Sequence, residues 1–220
     1  MSFSYSPKTV TDGLVFYIDA ANTKSYISGS TAWNDLSKGG NNSTLINGPT
    51  FNSGSGGAIN FDGTNDHATT PFPGILGNNP RTVSIWFRPD TIQNRNLLGY
   101  GTGTASRMWD VLLFQGLVGM HLYNSGAEAG TPYTVGVWQN ITFTYADPTI
   151  ISYMNGEIKV TRTYAGIDTG NANPLSIAQG VFVSYHYFDG LIGLVQMYNK
   201  ALTAQEVLQN YNATKTRYGL

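Results

Sequence analysis

The chain has no cysteine. Disulfides, thiolate metal sites and cysteine nucleophiles are therefore excluded. It is also short of charge. Only 11% of its 220 residues are Asp, Glu, Lys or Arg, against roughly 25% in an average domain. The 12 basic and 13 acidic residues give a net charge of −1. They form no basic block, which argues against nucleic acid and anionic membranes as partners. Glutamate occurs only as Glu128, Glu157 and Glu206. No apolar run approaches the roughly 18 residues of a membrane span. The opening MSFSYSPKTVTDG lacks the apolar stretch after a basic start that marks a signal peptide. So little charge leaves the surface to Asn, Ser, Thr, Gly and Tyr, which suits a protein that meets glycans or packs in an assembly.

What the sequence does hold is strand and turn. Runs such as GLVFYIDA (13–20), GAINF (57–61), RTVSIWFRPD (81–90), SRMWDVLLF (106–114), LVGMHLY (117–123) and VWQNITFTYA (137–146) read as strands. TIISYM (149–154), EIKVTRTY (157–164), LSIAQ (175–179) and LIGLVQMYN (191–199) continue the series. Clusters of Gly, Asn, Asp and Ser separate them. Asn155-Gly156 is a two-residue hairpin signal. It predicts Tyr153 opposite Ile158 and Ile151 opposite Val160. Around Gln115-Gly116, Leu113 is expected opposite Val118, Val111 opposite Met120, Asp110 opposite His121 and Met108 opposite Tyr123. One helix is expected: Thr203-Ala204-Gln205-Glu206 is a capping box, followed by a stripe of Val207, Leu208 and Tyr211. The reading is an all-β sandwich closed by a short C-terminal helix, with residues 1–12 as an N-terminal arm and 13–220 as one domain.

Four segments in order, INFDGTNDHATTP, RTVSIWFRPD, VWQNITFTYADPTIISYMNGEIKV and FDGLIGLVQMYNKALTAQEVLQNYNA, resemble the laminin-G-like members of the concanavalin A-like lectin/glucanase superfamily. WNDLSKGGNNSTLINGPTF (33–51) resembles that family's early Trp-x-Asp-x-Ser segment. The resemblance implies a jelly-roll β-sandwich of two antiparallel sheets. The opening GLVFYIDAANTKSY and closing NKALTAQEVLQNYNATKTRYGL resemble such domains in virion proteins of tailed phages, including cyanophages. This implies a structural role in the virion, as capsid decoration or in a tail or fibre, with other virion proteins and surface glycans as partners. Assembly would then take place in the host cytoplasm. A free lectin-like module is the alternative, and a homo-oligomer stays open.

The superfamily includes glycoside hydrolases, which need two carboxyl groups about 5–10 Å apart across the scissile bond. No strand here carries alternating carboxylates, so no enzymatic activity is expected. A Gly-x-Ser-x-Gly elbow and a His-Glu-x-x-His motif are also missing. The three histidines are His67, His121 and His186. Glycan binding through aromatic stacking and planar hydrogen-bonding groups has Trp86, Asp110, His121, Tyr123, Trp138 and Asn140 as candidates, if their faces share one sheet. No cofactor is expected, though calcium is weighed. The family often binds it at the sheet rim, and Asp35, Asn42, Asp62 and Asp66 are the candidates. Asn41, Asn65 and Asp189 stand beside them, all with Asx turns as the alternative. FDG occurs twice, as Phe61-Asp62-Gly63 and Phe188-Asp189-Gly190. In each copy the Phe is expected to anchor a corner and Asp-Gly to make the bend.

Overall fold

A computed structural model of the chain describes residues 7–122, 128–181 and 186–220. Sixteen strands and a C-terminal helix are found among them. Sheet A runs β14 (Glu157–Thr163), β13 (Thr149–Met154), β12 (Gln139–Ala146), β7 (Arg81–Pro89), β16 (Asp189–Tyr198), β5 (Ala58–Asp62), β4 (Thr50–Asn52). Strand β1 (Leu14–Asp19) pairs the distal half of β16. Sheet B runs β11 (Glu128–Pro132), β10 (Leu117–His121), β9 (Met108–Phe114), β8 (Arg95–Gly101), β15 (Asn173–Ile177), β6 (His67–Thr69), β3 (Ser43–Ile46), β2 (Ala32–Trp33). Every named strand pair is antiparallel. The expected sandwich of two antiparallel sheets with a short helix is the observed one.

Alternation explains which face each strand buries. Val83, Ile85 and Phe87 of β7 meet Trp109, Val111 and Leu113 of β9 in the main core. The intervening Ser84 and Trp86 point to the outside of sheet A, and Asp110 to the outside of sheet B. Helix α1 (Ala204–Thr214) covers the outside of sheet A. Its capping box forms as expected: Glu206 N–H donates to Thr203 Oγ1 at 3.2 Å and Thr203 N–H donates to Glu206 Oε2 at 2.8 Å. Its buried face is Val207, Asn210 and Thr214. Leu208, expected in that stripe, is 44% exposed, because the helix meets the sheet along the row of Val207 and Tyr211. Residues 8–12 lie against the same helix. Val10 N–H donates to Asn210 Oδ1 at 2.8 Å and Gln209 Nε2 donates to the Lys8 carbonyl at 2.6 Å.

The Gln115-Gly116 hairpin keeps the expected register, including Asp110 opposite His121; Tyr123 lies outside the described residues. The Asn155-Gly156 hairpin does so only for its first pair. Tyr153 meets Ile158, but a bulge then sets Ser152 opposite Val160 and Ile151 opposite Thr161. One extra residue on β14 absorbs the twist of an exposed edge. Strand β8 is not expected from RNLLGYG, whose glycines interrupt any alternation. It is nevertheless central in sheet B.

The two FDG copies meet each other. Asp189 pairs Asp62, and Gly190 pairs Phe61, in the β16–β5 ladder. Both phenylalanines are fully buried. Asp62-Gly63 makes the expected bend, with Asp62 Oδ1 accepting from Thr64 N–H at 2.8 Å. Asp189-Gly190 does not bend: it opens β16 as paired strand, a register set by β5 and invisible in the tripeptide.

Candidate functional site

The expected glycan candidates do not come together. Trp86, Trp138 and Asn140 belong to the outside of sheet A, while Asp110 and His121 belong to the outside of sheet B, across the full thickness of the sandwich. The condition that the two tryptophans share a face with Asp110 is not met. The sequence has no signal for which sheet each strand joins. The aromatic rings are also closed off. Trp86 is 1% and Trp138 6% exposed. Tyr218 stacks on Trp86 at 4.1 Å and lies 4.6 Å from Trp138, and Trp86 Nε1 donates to Thr214 Oγ1 at 2.9 Å. The chain's own C-terminal segment covers this platform. Asn140 is buried there too, donating from Nδ2 to Ser84 Oγ at 3.1 Å.

The calcium candidates are occupied by backbone. Asp35 accepts from Tyr17 N–H at 2.9 Å, Ser37 N–H at 2.8 Å and Asn41 N–H at 2.9 Å. Asn42 Oδ1 accepts from Asp35 N–H at 3.0 Å. Burial acts to raise the Asp62 carboxyl, but the N–H groups of Thr64, Asn65 and Asp66 outweigh it and hold the group below its usual range. Burial and the neighbouring Asp62 charge raise Asp66. Among the described residues, no group of three or more His, Asp or Glu could hold a metal ion. Asp35 and Asp62 build Asx turns, while Asn42 and Asp66 accept from the N–H groups of Asp35 and Asp62.

A different arrangement forms on the outside of sheet B. Leu175 and Ile177 of β15 enter the core, which turns Ser176 outward beside Thr69 of β6. After β15, residues 178–181 cross the outer face of the sheet. Ala178 N–H donates to the Leu97 carbonyl at 2.8 Å, and Asn96 N–H to the His186 carbonyl at 3.1 Å. Asp110 holds this crossing down. It is 1% exposed, and it accepts from Asn96 Nδ2 at 3.1 Å and from Val181 N–H at 3.3 Å. Gly99 makes room for it, since a Cβ at that position would fall on the Asp110 carboxylate. Burial pushes the Asp110 pKa up to about 8, against the lowering effect of the Val181 and Asn96 bonds. The group is thus protonated at neutral pH. Asp110 and His121 stay opposite each other in the ladder, while the Asp110 side chain bonds to Asn96 and Val181. Burial, and then the neighbouring His186, hold the His121 pKa below its usual value.

Between the crossing and strands β6 and β15 lies a cleft of about 320 Å³. Thr69, Asn173, Ser176 and Gln179 supply hydroxyls and amides, and Pro174 and Val181 supply apolar surface. Ser176 Oγ donates to Gln179 Oε1 at 3.1 Å, and Gln179 Nε2 to Tyr187 Oη at 3.4 Å. The Tyr187 ring lies 5.6 Å from that of His67. The cleft lining carries no charged side chain. Sequence reasoning missed this set, because Thr69, Ser176 and Gln179 are ordinary residues made special only by their register.

A sequence profile of the concanavalin A-like lectin/glucanases superfamily matches residues 62–208. No curated protein matches the chain. Among solved structures, domain 4 of AbnA, an extracellular GH43 arabinanase from Geobacillus stearothermophilus in complex with arabinotriose, aligns with TM-score 0.71 at 17% identity. The alignment covers 92% of this chain and 100% of that one. The binding domain of Paraclostridial Mosquitocidal Protein 1 aligns with TM-score 0.69 at 18% identity, over 91% of this chain and 52% of that one. The binding domain of botulinum neurotoxin DC, in complex with rat synaptotagmin II, aligns with TM-score 0.71 at 10% identity, over 93% and 52%. The chain thus spans all of the arabinanase domain and about half of each toxin domain. At these identities the likeness is one of fold. No helix among the described residues is long and apolar enough to cross a membrane.

Proposed function

The chain belongs to the concanavalin A-like lectin/glucanase superfamily, and from that premise we propose that it is a non-catalytic recognition domain whose cleft on sheet B takes an uncharged saccharide. The observation that carries this reading is the cleft lining, which is entirely hydroxyl, amide and apolar. Sugars present many neutral hydroxyls and an apolar C–H face, and such a lining matches both. A charged ligand would lose its hydration there without gaining an opposite charge. Asp110, which bonds Val181 of the lining, is 1% exposed, so it cannot reach a glycosidic oxygen as a general acid. A neighbour of the same fold was solved with arabinotriose, which makes that sugar the first probe. Calorimetric titration of the full chain with arabinotriose and a panel of neutral oligosaccharides tests the reading. Saturable binding weakened at least tenfold by Gln179→Ala or Ser176→Ala supports it, and binding to none of the panel, or turnover of a glycan, overturns it.

We place this domain on the particle of a tailed phage, as a decoration or a tail or fibre component, with other virion proteins as its partners. The support is the resemblance of GLVFYIDAANTKSY and NKALTAQEVLQNYNATKTRYGL to virion domains, together with the low charge. Recovery of the chain with purified particles tests this placement, and recovery only in the particle-free fraction overturns it.

A further inference from the structure

We propose that the cleft between hairpin β2–β3 and strand β4 is a second binding site, and that it takes an uncharged saccharide. Strand β2 ends sheet B and β4 ends sheet A, so the sandwich opens laterally between them. The opening is a cleft of about 350 Å³. Its floor is Leu45 with the tilted ring pair Tyr26 and Phe51, whose centroids are 5.4 Å apart. Tyr26 is 4% exposed and backs Phe51, which is partly buried against the main core; the accessible part of the Phe51 ring is what would meet a ligand. The lip carries the exposed hydroxyls of Ser28, Thr31 and Thr50. No charged side chain lines it.

The frame around this cleft is fixed. Ser25 Oγ donates to the Asn34 carbonyl at 2.6 Å, Leu45 N–H to the Thr31 carbonyl at 2.7 Å, and Ala32 N–H to Ser30 Oγ at 2.9 Å. Hydrogen-bonding capacity is also left over. Trp33 and Ser43 pair directly across the hairpin, and their buried Nε1 and Oγ find no partner among the described residues. Both sit on the face that carries Leu45. Buried polar atoms without protein partners are rare in folded proteins; these two are fully enclosed and neither belongs to the cleft's lining. Between Tyr26 and Ser28 of the lining, Ile27 is 67% exposed. An aromatic floor, free hydroxyls and no charge are the complement of a sugar ring. An anion would find no cation here, and a cation no carboxylate.

The ligand class rests on the recognition reading above, but the two clefts share no residue. Two sites on one rigid body would raise avidity for a repeating polysaccharide without further contacts. The test is a ¹⁵N–¹H NMR titration of the full chain with maltotriose and xylotriose, and with sialyllactose as the anionic probe. The expected result is saturable shifts at residues 26–31 and 48–51, retained in Gln179→Ala and at least tenfold weaker in Thr31→Glu/Thr50→Glu. Phe51→Leu keeps apolar volume without the ring and should weaken the same shifts if the charged pair disturbs folding. Shifts confined to Thr69 and residues 173–181 would overturn the second site and leave the first. Shifts at neither place would sink both, and an equal response to sialyllactose would overturn the ligand class.

Discussion

Asp110→Asn should stabilise this protein at neutral pH, although it removes a carboxyl group that makes two hydrogen bonds. The folded carboxyl titrates near 8 because burial disfavours its charge, whereas in an unfolded chain it titrates near 4. Between those values the folded state holds a proton that the unfolded state has released. Stability therefore falls as pH rises through that window, by about 1.4 kcal/mol per unit, and is flat below and above it. At pH 7 the loss is on the order of 4 kcal/mol, a large share of a typical 5–15 kcal/mol of total stability. Asparagine has the same shape and never ionises. Its Oδ1 can still accept from Val181 N–H, and Asn96 can turn its own Oδ1 toward the new amide. Denaturant unfolding of wild type and Asp110→Asn at pH 4.5, 6.0 and 7.5 measures the difference directly. Other carboxyls, such as Asp62 and Glu206, whose pKa values are lowered, contribute slopes of the opposite sign in both proteins and cancel. The two should be nearly equal at pH 4.5 and separate in favour of the variant as pH rises. Parallel pH profiles, or a variant less stable at pH 7.5, would refute the burial argument.

Three further outcomes follow from the packing. Thr203→Ala should cost about 1 kcal/mol through loss of the cap, read as a lower melting temperature; no change would remove the capping box as a source of stability. Arg81 is fully buried, donating to the Ile75 carbonyl at 2.5 Å, the Gly77 carbonyl at 2.6 Å, Thr169 Oγ1 at 2.8 Å and the Asn79 carbonyl at 2.9 Å. Arg81→Lys should cost about 2 kcal/mol or more, because an ammonium cannot span four acceptors held in a planar fork; equal denaturation midpoints would contradict this. Trp86→Ala should lose about 3–5 kcal/mol of stability and leave saccharide affinity unchanged in the folded fraction; an affinity loss without a stability loss would return Trp86 to the binding surface.

Local signals carried much of the fold. Alternating strands, the Gln115-Gly116 turn and the Thr203–Glu206 capping box were legible because neighbours a few residues apart determine them. Strand β8 was not, since its Gly99 makes room for Asp110 on the next strand and for Val181, which follows much later in the chain. The candidate site was the least legible part. Trp86 and Trp138 carried the conspicuous chemistry and became the floor beneath Tyr218. Thr69, Ser176 and Gln179, which line the cleft, carried none.

The sequence by itself determined a charge-poor, cysteine-free β-sandwich and the family to which it belongs, because periodicity, turn chemistry and ordered motifs are properties of short segments. Only the tertiary structure decided which strands share a sheet and which faces remain open. It set the two FDG copies against each other as one ladder and laid the C-terminal segment over the tryptophans. It also buried Asp110 far enough to hold its proton. Each of these depends on contacts between residues some tens to more than a hundred positions apart, and no local pattern encodes which distant partner a face will meet.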